Sequence, residues 1–308
     1  NQQSMNPDFQ YQLSICIPSY ENSDILEKNI LNLCSQLGEV NFRWEIIIGL
    51  NYSEKEPYDN IKILNDSKIK VFFHKSNLGF GKNLFFTINQ ATGQYILLLG
   101  DDDFTEDGVF QEIEEKVIRS EAFSGLSFVP ICGSAYNDSN EVVHIFMRSG
   151  SFMGMIFDNT EIDLHLIDIH GKIYPQIELA MQIFMKKDLI KLEFTRGIIM
   201  GEGLPTPLRF TDKMGRPIDY GIIERLDILR RCRKKGLNLM QFVKCLSSLV
   251  EWAENVYTEL MLQDRKLGIK FCRSLLLSKR GVIFLIPMLI QKSIIKRKRY
   301  NLLSGILA

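Results

Sequence analysis

The stretch Tyr95-Ile96-Leu97-Leu98-Leu99-Gly100-Asp101-Asp102-Asp103 decides the fold prediction, because five apolar residues run directly into a glycine and three adjacent carboxylates. A continuous apolar run of this length predicts a buried strand. Neighbouring carboxylates repel one another, and burying part of their charge requires a cation or several hydrogen-bond donors. Because ligands of open α/β sheets bind beyond the carboxyl ends of strands, the triplet predicts a ligand site. A solvated acidic turn that caps the next helix is the alternative.

The chain before this stretch alternates short apolar runs with amphipathic patterns, which is typical of βαβ units and a mostly parallel sheet. Strands are predicted at residues 13–17, 44–50 and 70–74, with a weak one at 61–64, and helices at 23–37 and 82–91. After the acidic triplet, we predict a helix from an N-cap at Thr105 to about residue 120. Strands are predicted at 126–132 and 142–147, separated by a turn at 137–140. A further helix is predicted from Pro175 to about residue 187. The predicted fold class is α/β, with a Rossmann-like, mostly parallel central sheet flanked by helices.

Composition divides the chain into three parts. Residues 1–10 are polar and predict an N-terminal tail, in which Met5 is the expected native start and residues 1–4 an expression remnant. Residues 11–217 are the predicted α/β domain, and their Gly/Pro-rich end at 197–217 predicts either a lid or a linker. Residues 218–308 follow a helical pattern and end in a basic, amphipathic tail.

The charge of the chain is balanced overall and unevenly distributed. Its 37 basic and 37 acidic residues exclude a uniformly basic nucleic-acid-binding protein, and its 45% hydrophobic content excludes a disordered chain. Of the basic residues, 11 lie at 265–308, where no acidic residue occurs. Basic residues mixed with apolar clusters are typical of interfacial helices on anionic lipid, and a helical subdomain packed on the core is the alternative.

The cysteines and the chain start favour a cytoplasmic protein. The six cysteines are scattered without a CxxC pair, which favours free thiols in a reducing compartment. The polar start does not resemble a signal peptide, and the late apolar run at 281–291 is too short to span a bilayer. We therefore predict a cytoplasmic location, peripheral at the inner face of the cell membrane if the basic tail binds lipid.

Three polar loops are predicted at the same edge of the sheet as the acidic triplet. They are residues 17–22 (IPSYEN), 49–51 (GLN) and 77–83 (NLGFGKN). Together they offer an aromatic ring, amide donors and a lysine for a phosphate. Each is unspecific alone, since residues 77–83 lack the third glycine of a dinucleotide fingerprint and form no GxxxxGK[ST] loop. For residues 77–83 an ordinary strand-to-helix connection is the alternative.

The order and spacing of IPSYEN, EIIIGLN, NLGFGKN and ATGQYILLLGDDD resembles the nucleotide-sugar domain of family 2 glycosyltransferases with the GT-A fold. The resemblance covers roughly residues 11 to 120. The ending GDDD is particularly similar to bacterial transferases of O-antigen and capsule synthesis, including the abequosyltransferase-like group. The resemblance implies a GT-A domain with a C-terminal helical extension, and an inverting transfer from a nucleotide-sugar donor to a hydroxyl of a glycan acceptor that is lipid-linked.

The resemblance also implies roles for individual residues. A Mg²⁺ or Mn²⁺ ion would neutralise the charge that develops on the leaving diphosphate. Asp102 and Asp103 are the expected metal ligands, and Asp101 is expected to face the ribose or the sugar. The remaining nucleotide-sugar-binding positions implied by the family are Pro18, Ser19, Tyr20 and Glu21 for the base and ribose, and Asn77, Gly79, Lys82 and Asn83 for the nucleotide or donor sugar.

Two departures from the family pattern leave residues to be assigned. The usual acidic residue after the second strand is missing, and Asn51 is the nearest substitute. The Glu-Asp dipeptide that usually supplies the general base is also missing, and Glu178, near a predicted helix start, is the best positional substitute. A base must reach the acceptor hydroxyl, which sequence does not show. Its competitors, each of which also fits a surface or capping role, are Asp158, Asp168, His170 and Glu202.

Two other functions fit parts of the same pattern. A sugar-phosphate nucleotidyltransferase also uses an α/β sheet and acidic metal ligands, but it would need a basic, glycine-rich phosphate loop where this chain has IPSYEN. A non-catalytic sugar-nucleotide-binding or membrane-scaffolding subunit fits the two departures, whereas the intact acidic triplet argues against it. Nucleic acid is not an expected partner, because the basic block at 296–299 has one adjacent aromatic residue, Tyr300, and no interleaved set of stacking rings.

Overall fold

A computed structural model describes residues 9–52, 66–120, 123–132, 140–167, 174–187, 192–201 and 222–263. The chain divides into two compact units, Asn1–Gly203 and Leu204–Ala308. The predicted boundary at 217, the weak strand at 61–64 and the basic tail at 265–308 lie outside the described residues.

The described part of the first unit contains a six-stranded mixed sheet. Its strands in chain order are β1 (Tyr11–Ser19), β2 (Trp44–Leu50), β3 (Ile69–Phe73), β4 (Gly93–Leu98), β6 (Leu126–Phe128) and β7 (Met155–Asp158). They lie side by side in the order β3-β2-β1-β4-β7-β6. The first four are parallel, and β7 and β6 pair antiparallel at one edge. The predicted mostly parallel α/β fold is confirmed.

Helices cover the sheet and supply the second layer of the core. They are α1 (Ser23–Leu37), α2 (Phe80–Gln90), α3 (Val109–Ile113), which continues as a π-helix (Glu114–Ile118), α4 (Glu141–Arg148) and α5 (Pro175–Lys186). On α1 the fully buried Leu26, Ile30, Leu33 and Leu37 recur every three or four residues, so one stripe of the helix packs on the sheet. The Trp44 indole donates a hydrogen bond to the Leu37 carbonyl at 2.9 Å, which ties the end of α1 to the start of β2.

A buried polar network holds the amino end of the sheet together. The Glu45 carboxylate, fully buried in β2, accepts hydrogen bonds from the Ser14 hydroxyl at 2.6 Å and the Thr92 amide at 2.7 Å. Lys70 on β3 completes it with an ion pair at 2.6 Å. Because the carboxylate has several charged or strongly polar partners, its burial is compensated, and the network fixes the register of four strands.

Two secondary-structure predictions were wrong. Residues 142–147, predicted as a strand, form helix α4, because the buried Val142, Ile145 and Phe146 share one helical face and that pattern overrides the β-branched composition. Thr105 does not cap a helix: it lies in β5 (Phe104–Thr105), and α3 begins after Gly108, whose φ of 94° ends the loop.

Two smaller differences concern the connections after the acidic triplet. The strand predicted at 126–132 is confined to Leu126–Phe128, since Ile131 forms an isolated bridge with Ile198. Within the predicted loop at 197–217, β8 (Ile198–Ile199) pairs antiparallel with β5. Residues 202–221 lie outside the described residues.

The described part of the second unit is helical, as predicted. It contains α6 (Ile222–Lys234) and α7 (Leu239–Gln263), joined by a short turn. Arg225 on α6 stacks over the Trp252 ring of α7, with 4.7 Å from the guanidinium carbon to the ring centroid. Among the described helices, none combines the length and the apolar character needed to cross a bilayer.

Candidate active site

The strand order places a crevice at the carboxyl ends of β1 and β4. The chain runs from β1 through β2 to β3 on one side and then returns to place β4 on the other side of β1. This reversal is a topological switch point, where ligands of open α/β sheets bind. The loops after β1, β2, β3 and β4 all begin at this edge, so the sheet brings the predicted site loops together with the acidic triplet.

Asp101 connects the loop after β4 to the loop after β1. Its Oδ2 accepts hydrogen bonds from the Ser19 hydroxyl at 2.7 Å and from the Tyr20 amide at 3.3 Å, and its Oδ1 accepts one from Asn22 Nδ2 at 3.1 Å. Burial raises the pKa of Asp101, although the bonds from Ser19 and Asn22 act to lower it. Both oxygens of the carboxylate thus have protein donors, and the expected contact with ribose or sugar would add to these bonds.

Asn29 holds the same loop by hydrogen bonds from helix α1, and the sequence did not identify it as a site residue. It is fully buried on α1, and its Nδ2 donates to the carbonyls of Gly100 at 3.1 Å and Asp101 at 3.3 Å. Its Oδ1 is buried without a hydrogen-bond partner. The available signal was an asparagine beside Ile30 in the apolar stripe of α1, where a polar side chain needs a specific partner.

Asp103 turns into the protein. It is fully buried, and its Oδ2 accepts the Gly100 amide at 2.6 Å, whereas its Oδ1 is buried without a hydrogen-bond partner. Burial raises the pKa of Asp103 to about 6, and the charges on Asp102 and Asp101 act in the same direction. The amides of Gly100 and Gly201 act against this rise. Asp103 therefore shapes the turn that carries Asp102.

Arg148 is a second residue that the sequence did not identify, because its segment was predicted as a strand. Its buried guanidinium donates to the carbonyls of Val129 at 3.2 Å, Ser151 at 2.7 Å and Met153 at 2.9 Å. Burial lowers the pKa of Arg148 to about 10, while the charge of Asp103 acts to raise it. A cation fixed near Asp103 offsets part of the negative charge of the triplet.

Asp102 is the half-buried member of the triplet, between two largely buried neighbours. Gly201, which follows β8, lies directly against it: a Cβ built on Gly201 would come within 2.5 Å of both the Asp102 carboxylate carbon and its carbonyl oxygen. Only a residue without a side chain permits this approach, so β8 and Gly201 set the position of the Asp102 carboxylate.

Asn51 and Asn83 tie together the ends of the first strands. The backbone N–H of Asn51 donates a hydrogen bond to the Ser19 carbonyl at 3.0 Å. The side-chain Oδ1 of Asn51 accepts a hydrogen bond from the Leu78 backbone N–H, also at 3.0 Å. Asn83 is fully buried on α2, and its Nδ2 donates to the Gly49 carbonyl at 2.7 Å. Its Oδ1 is 2.9 Å from His74 Nε2. Because Nδ2 is the donor group of the amide, His74 Nε2 must donate to Oδ1.

The other predicted donor-site residues lie along the same edge. Gly79, with φ of 78°, donates its amide to Asn77 Oδ1 at 2.8 Å, and Lys82 is exposed on the first turn of α2. After β1, Pro18 is buried, Tyr20 is half-buried and Glu21 has a positive φ of 57°. Such a backbone is uncommon for a residue with a Cβ and is held here by the loop.

The candidates for the general base are in different places. Glu178 lies in the first turn of α5 and is fully buried, so its carboxylate would have to become accessible to meet an acceptor hydroxyl. Asp158 pairs with Tyr95, near the amino end of β4, and accepts hydrogen bonds from the Thr160 amide and hydroxyl, so it lies away from the crevice. Asp168, His170 and Glu202 lie outside the described residues.

The residues around Asp102 fit a metal ion that is held partly by substrate. Within the described parts of the chain, no three His, Cys, Asp or Glu side chains converge as a complete protein cage. Mg²⁺ usually takes one or two carboxylates together with substrate phosphates and water. The half-buried Asp102 offers one such carboxylate. The Oδ1 of Asp103, which has no hydrogen-bond partner, could supply a second oxygen only from within the protein, because Asp103 is fully buried.

The model of the family described as Glycosyl transferase family 2 matches residues 14–164. Residues 14–164 are therefore similar to a family 2 glycosyltransferase domain. The matched range includes most of β1, all of β2 to β4, the acidic triplet and the edge strands β6 and β7. No curated protein matches the chain in sequence.

Solved structures resemble the chain in fold. The mannosyltransferase PcManGT from Pyrobaculum calidifontis, in complex with GDP-Man and Mn²⁺, has a TM-score of 0.51 and 11% identity over 91% of this chain and 80% of its own. S. aureus TarS 1–349 has a TM-score of 0.48 and 16% identity over 84% of this chain and 88% of its own. Its complex with UDP has a TM-score of 0.48 and 17% identity, over 85% and 87%.

Proposed function

We propose that this chain is a metal-dependent, inverting glycosyltransferase that moves a sugar from a nucleotide-sugar donor to a hydroxyl of a lipid-linked glycan. The product would belong to a bacterial surface polysaccharide such as O-antigen or capsule. One observation carries the proposal. At the switch point, Asp101 binds the loop after β1 through Ser19, Tyr20 and Asn22, and this leaves Asp102 half-buried at the crevice. The family 2 domain and the PcManGT fold, found with GDP-Man and Mn²⁺, support it.

The reaction forms one bond and breaks one. The acceptor oxygen attacks the anomeric carbon, the bond from that carbon to the diphosphate oxygen breaks, and the electron pair leaves with the diphosphate. The hydroxyl proton passes to a general base, for which Glu178 is our candidate. Attack from the face opposite the leaving group inverts the anomeric configuration.

The negative charge on the leaving diphosphate must be compensated in the crevice. A bound Mg²⁺ or Mn²⁺ would supply a Lewis acid at the diphosphate. Asp102 would hold it, with Asp103 as the second predicted ligand. Lys82, exposed on α2 beside the Gly79 turn, would bind a phosphate, and the half-buried Tyr20 would stack on the base.

The cellular setting belongs to the same proposal. A lipid-linked acceptor lies at the membrane surface, and the basic residues of 265–308 would hold a cytoplasmic enzyme at the inner face of the membrane. Flotation of the full chain with anionic vesicles, compared with a chain that ends at residue 264, tests this part. Equal flotation of the two would contradict it.

A thermal-shift panel of UDP-, GDP-, CMP- and dTDP-sugars, with and without Mn²⁺, tests donor binding. We expect stabilisation that needs both a nucleotide and the metal, and that is lost in Asp102→Ala. Asp107→Ala is the matched control, since Asp107 is exposed a few residues along the same segment. No response to any nucleotide would refute the proposal.

Turnover separates the rival functions. The expected result is release of the donor's nucleotide, a nucleoside diphosphate or, from a CMP-sugar, CMP. The labelled sugar should appear in a lipid-linked glycan, with an anomeric configuration opposite to that in the donor. Release of pyrophosphate from a nucleoside triphosphate and a sugar phosphate would identify a nucleotidyltransferase instead. Binding of the donor with no turnover on any glycan acceptor would identify a non-catalytic subunit.

A further inference from the structure

The turn between α6 and α7 is fixed by hydrogen bonds at both helix ends. Gly236 has φ of 125°, and the amide of the buried Leu237 donates back to the Cys232 carbonyl at 3.0 Å, so α6 ends in a glycine-based cap. Asn238 and Gln241 then bond each other reciprocally, at 2.9 and 3.1 Å between amide nitrogen and side-chain oxygen. This capping box starts α7 in a defined direction.

Basic residues collect around this turn. Residues 228–250 contain six Lys or Arg and no Asp or Glu. Lys234 and Lys235 end α6, and Lys244 lies in the second turn of α7; all three are exposed. The acidic residues of α6, Glu224 and Asp227, lie in the other half of the helix. The turn therefore presents one sign of charge to the solvent.

Three apolar side chains are exposed beside these lysines. The exposed fractions are 63% for Leu239, 65% for Met240 and 46% for Val243. Positions i, i+1 and i+4 share one side of a helix. By contrast, Cys245, Leu249 and Ala253 are fully buried at four-residue intervals, so α7 has its own buried stripe elsewhere. We call Leu239, Met240, Val243, Lys234, Lys235 and Lys244 the turn patch.

The helix dipole explains only part of the turn patch. Cations near the carboxyl end of α6 are stabilised by the dipole, but this gives no reason for three large apolar side chains to face the solvent next to them. A nucleic-acid surface would pair the lysines with stacking rings, whereas the exposed members here are aliphatic. An anionic bilayer fits both the lysines and the aliphatic residues of the turn patch. Its headgroups attract the lysines, and the boundary of its acyl chains can bury the aliphatic side chains.

We propose that the turn patch binds the surface of an anionic phospholipid bilayer, with Leu239, Met240 and Val243 entering the headgroup boundary. This contact lies wholly in the second unit and involves none of residues 265–308. It depends neither on the glycosyl transfer nor on the basic tail.

Vesicle binding of the full chain tests the charge half of the patch. With phosphatidylcholine vesicles that contain phosphatidylserine, we expect Lys234→Glu/Lys235→Glu/Lys244→Glu to lower the affinity by at least about tenfold, since each basic residue near such a surface contributes about 1 kcal/mol. The control is Lys28→Glu/Lys75→Glu/Lys186→Glu, which changes net charge equally at exposed lysines of the first unit. Equal losses in the two triple variants would overturn the proposal.

A local probe tests the apolar half. Met240→Trp should be quenched by brominated lipid in anionic vesicles, whereas Leu31→Trp, at a 55% exposed position of α1, should not. The unmodified chain gives the background of its two tryptophans. If the Met240→Trp variant floats with the vesicles but its fluorescence is not quenched, the proposal is overturned, because residues outside the turn patch then contact the bilayer. A blue shift that grows with protein concentration in the absence of vesicles, with a doubled mass, would assign the patch to a second copy and also overturn it.

Discussion

The Ser19 hydroxyl donates a hydrogen bond to Asp101 Oδ2 at 2.7 Å, across 82 positions of sequence. At the other end of the same strand, the Ser14 hydroxyl donates to Glu45 Oε1 at 2.6 Å. β1 therefore carries two buried serines, each bound to a buried carboxylate. The Ser14 bond holds the amino end of the sheet together, and the Ser19 bond joins the two loops of the crevice.

Ser19→Ala should weaken both folding and donor binding. Removing the hydroxyl leaves Asp101 Oδ2 with the longer bond from Tyr20 only, and an under-satisfied buried group costs about 1 to 3 kcal/mol. Urea unfolding measures this loss. Because the loop after β1 then loses its main attachment to Asp101, nucleotide-sugar affinity should fall as well, which a calorimetric titration measures.

Ser14→Ala is the matched control for that prediction. It breaks an equivalent bond in the same strand, far from the crevice, and should reduce stability by a similar amount while leaving nucleotide affinity unchanged. A fall in affinity of the same size in both variants would mean that general loosening of β1, rather than the bond to Asp101, affects the site.

Gly49→Ala should destabilise the chain at the carboxyl end of β2. A Cβ there would overlap Asn83 Oδ1 and come within 2.8 Å of Thr87 Cγ2, both on buried residues of α2. Overpacking of this kind costs about 1 to 3 kcal/mol. Gly38→Ala, where the backbone is right-handed and the nearest atoms are 3.4 Å away, should change stability by less than about 0.5 kcal/mol. Chemical denaturation of the two variants decides; equal losses would contradict the packing argument.

Local periodicity predicted part of the fold with correct boundaries. Helix α1 and strand β2 begin and end where the sequence predicts, because an apolar stripe at helical spacing and a continuous apolar run each have one interpretation. Helix α4 shows the limit. Its apolar residues at 142, 143, 145 and 146 fit either a β-branched strand or a short helix, and packing against its neighbours decides between them.

The sequence located the candidate site but not the direction of its side chains. The three carboxylates are consecutive in the sequence after β4, but their side chains point in different directions. Asp101 accepts a hydrogen bond from Ser19 at the end of β1, whereas Asp103 accepts one from the Gly100 amide. Their directions depend on Asn29 of helix α1 and on Gly201, which follows β8, and both are distant from the triplet in sequence. Spacing along the chain carries no information on such long-range contacts.

Glu112→Gln should reduce stability at neutral pH and have little effect in acid. Burial acts to raise the pKa of Glu112, but the hydrogen bonds from Lys116 and Thr195 outweigh it and leave the pKa below its usual value. A carboxylate with a lowered folded-state pKa contributes stability above its unfolded-state pKa, and loses it as the pH falls through the folded-state pKa. We expect a loss of about 1 to 2 kcal/mol at neutral pH.

Unfolding free energies across a pH series check this prediction. The difference between Glu112→Gln and the unmodified chain should shrink as the pH falls below the ordinary range of a glutamate. Glu115→Gln, exposed on the following turn, should differ little at any pH. A difference that is constant with pH would assign the effect of Glu112 to shape rather than charge.

Arg148→Met should be among the most destabilising single changes. It removes the donors of three carbonyls and the cation near Asp103, and breaking a buried charge arrangement costs about 3 to 5 kcal/mol. Arg148→Lys keeps the charge with fewer directed donors, so its loss should be smaller. Urea midpoints of the two variants decide. Identical losses would indicate that the carbonyl bonds matter and the charge does not.

Gly201→Ala should selectively reduce the metal-dependent part of donor binding. The added Cβ would come within 2.5 Å of the Asp102 carboxylate carbon and carbonyl oxygen, so the side chain that would hold the metal has to move. We expect nucleotide-sugar affinity in Mn²⁺ to fall to the metal-free level, with a stability loss of about 1 to 3 kcal/mol. Gly93→Ala is the control, because its Cβ would meet the Ser14 backbone nitrogen at 2.6 Å and destabilise the chain at the amino end of the sheet, away from Asp102 and β8. Titrations with and without Mn²⁺ compare the two variants. The metal effect should persist in Gly93→Ala, and its persistence in Gly201→Ala would remove Asp102 from the metal site.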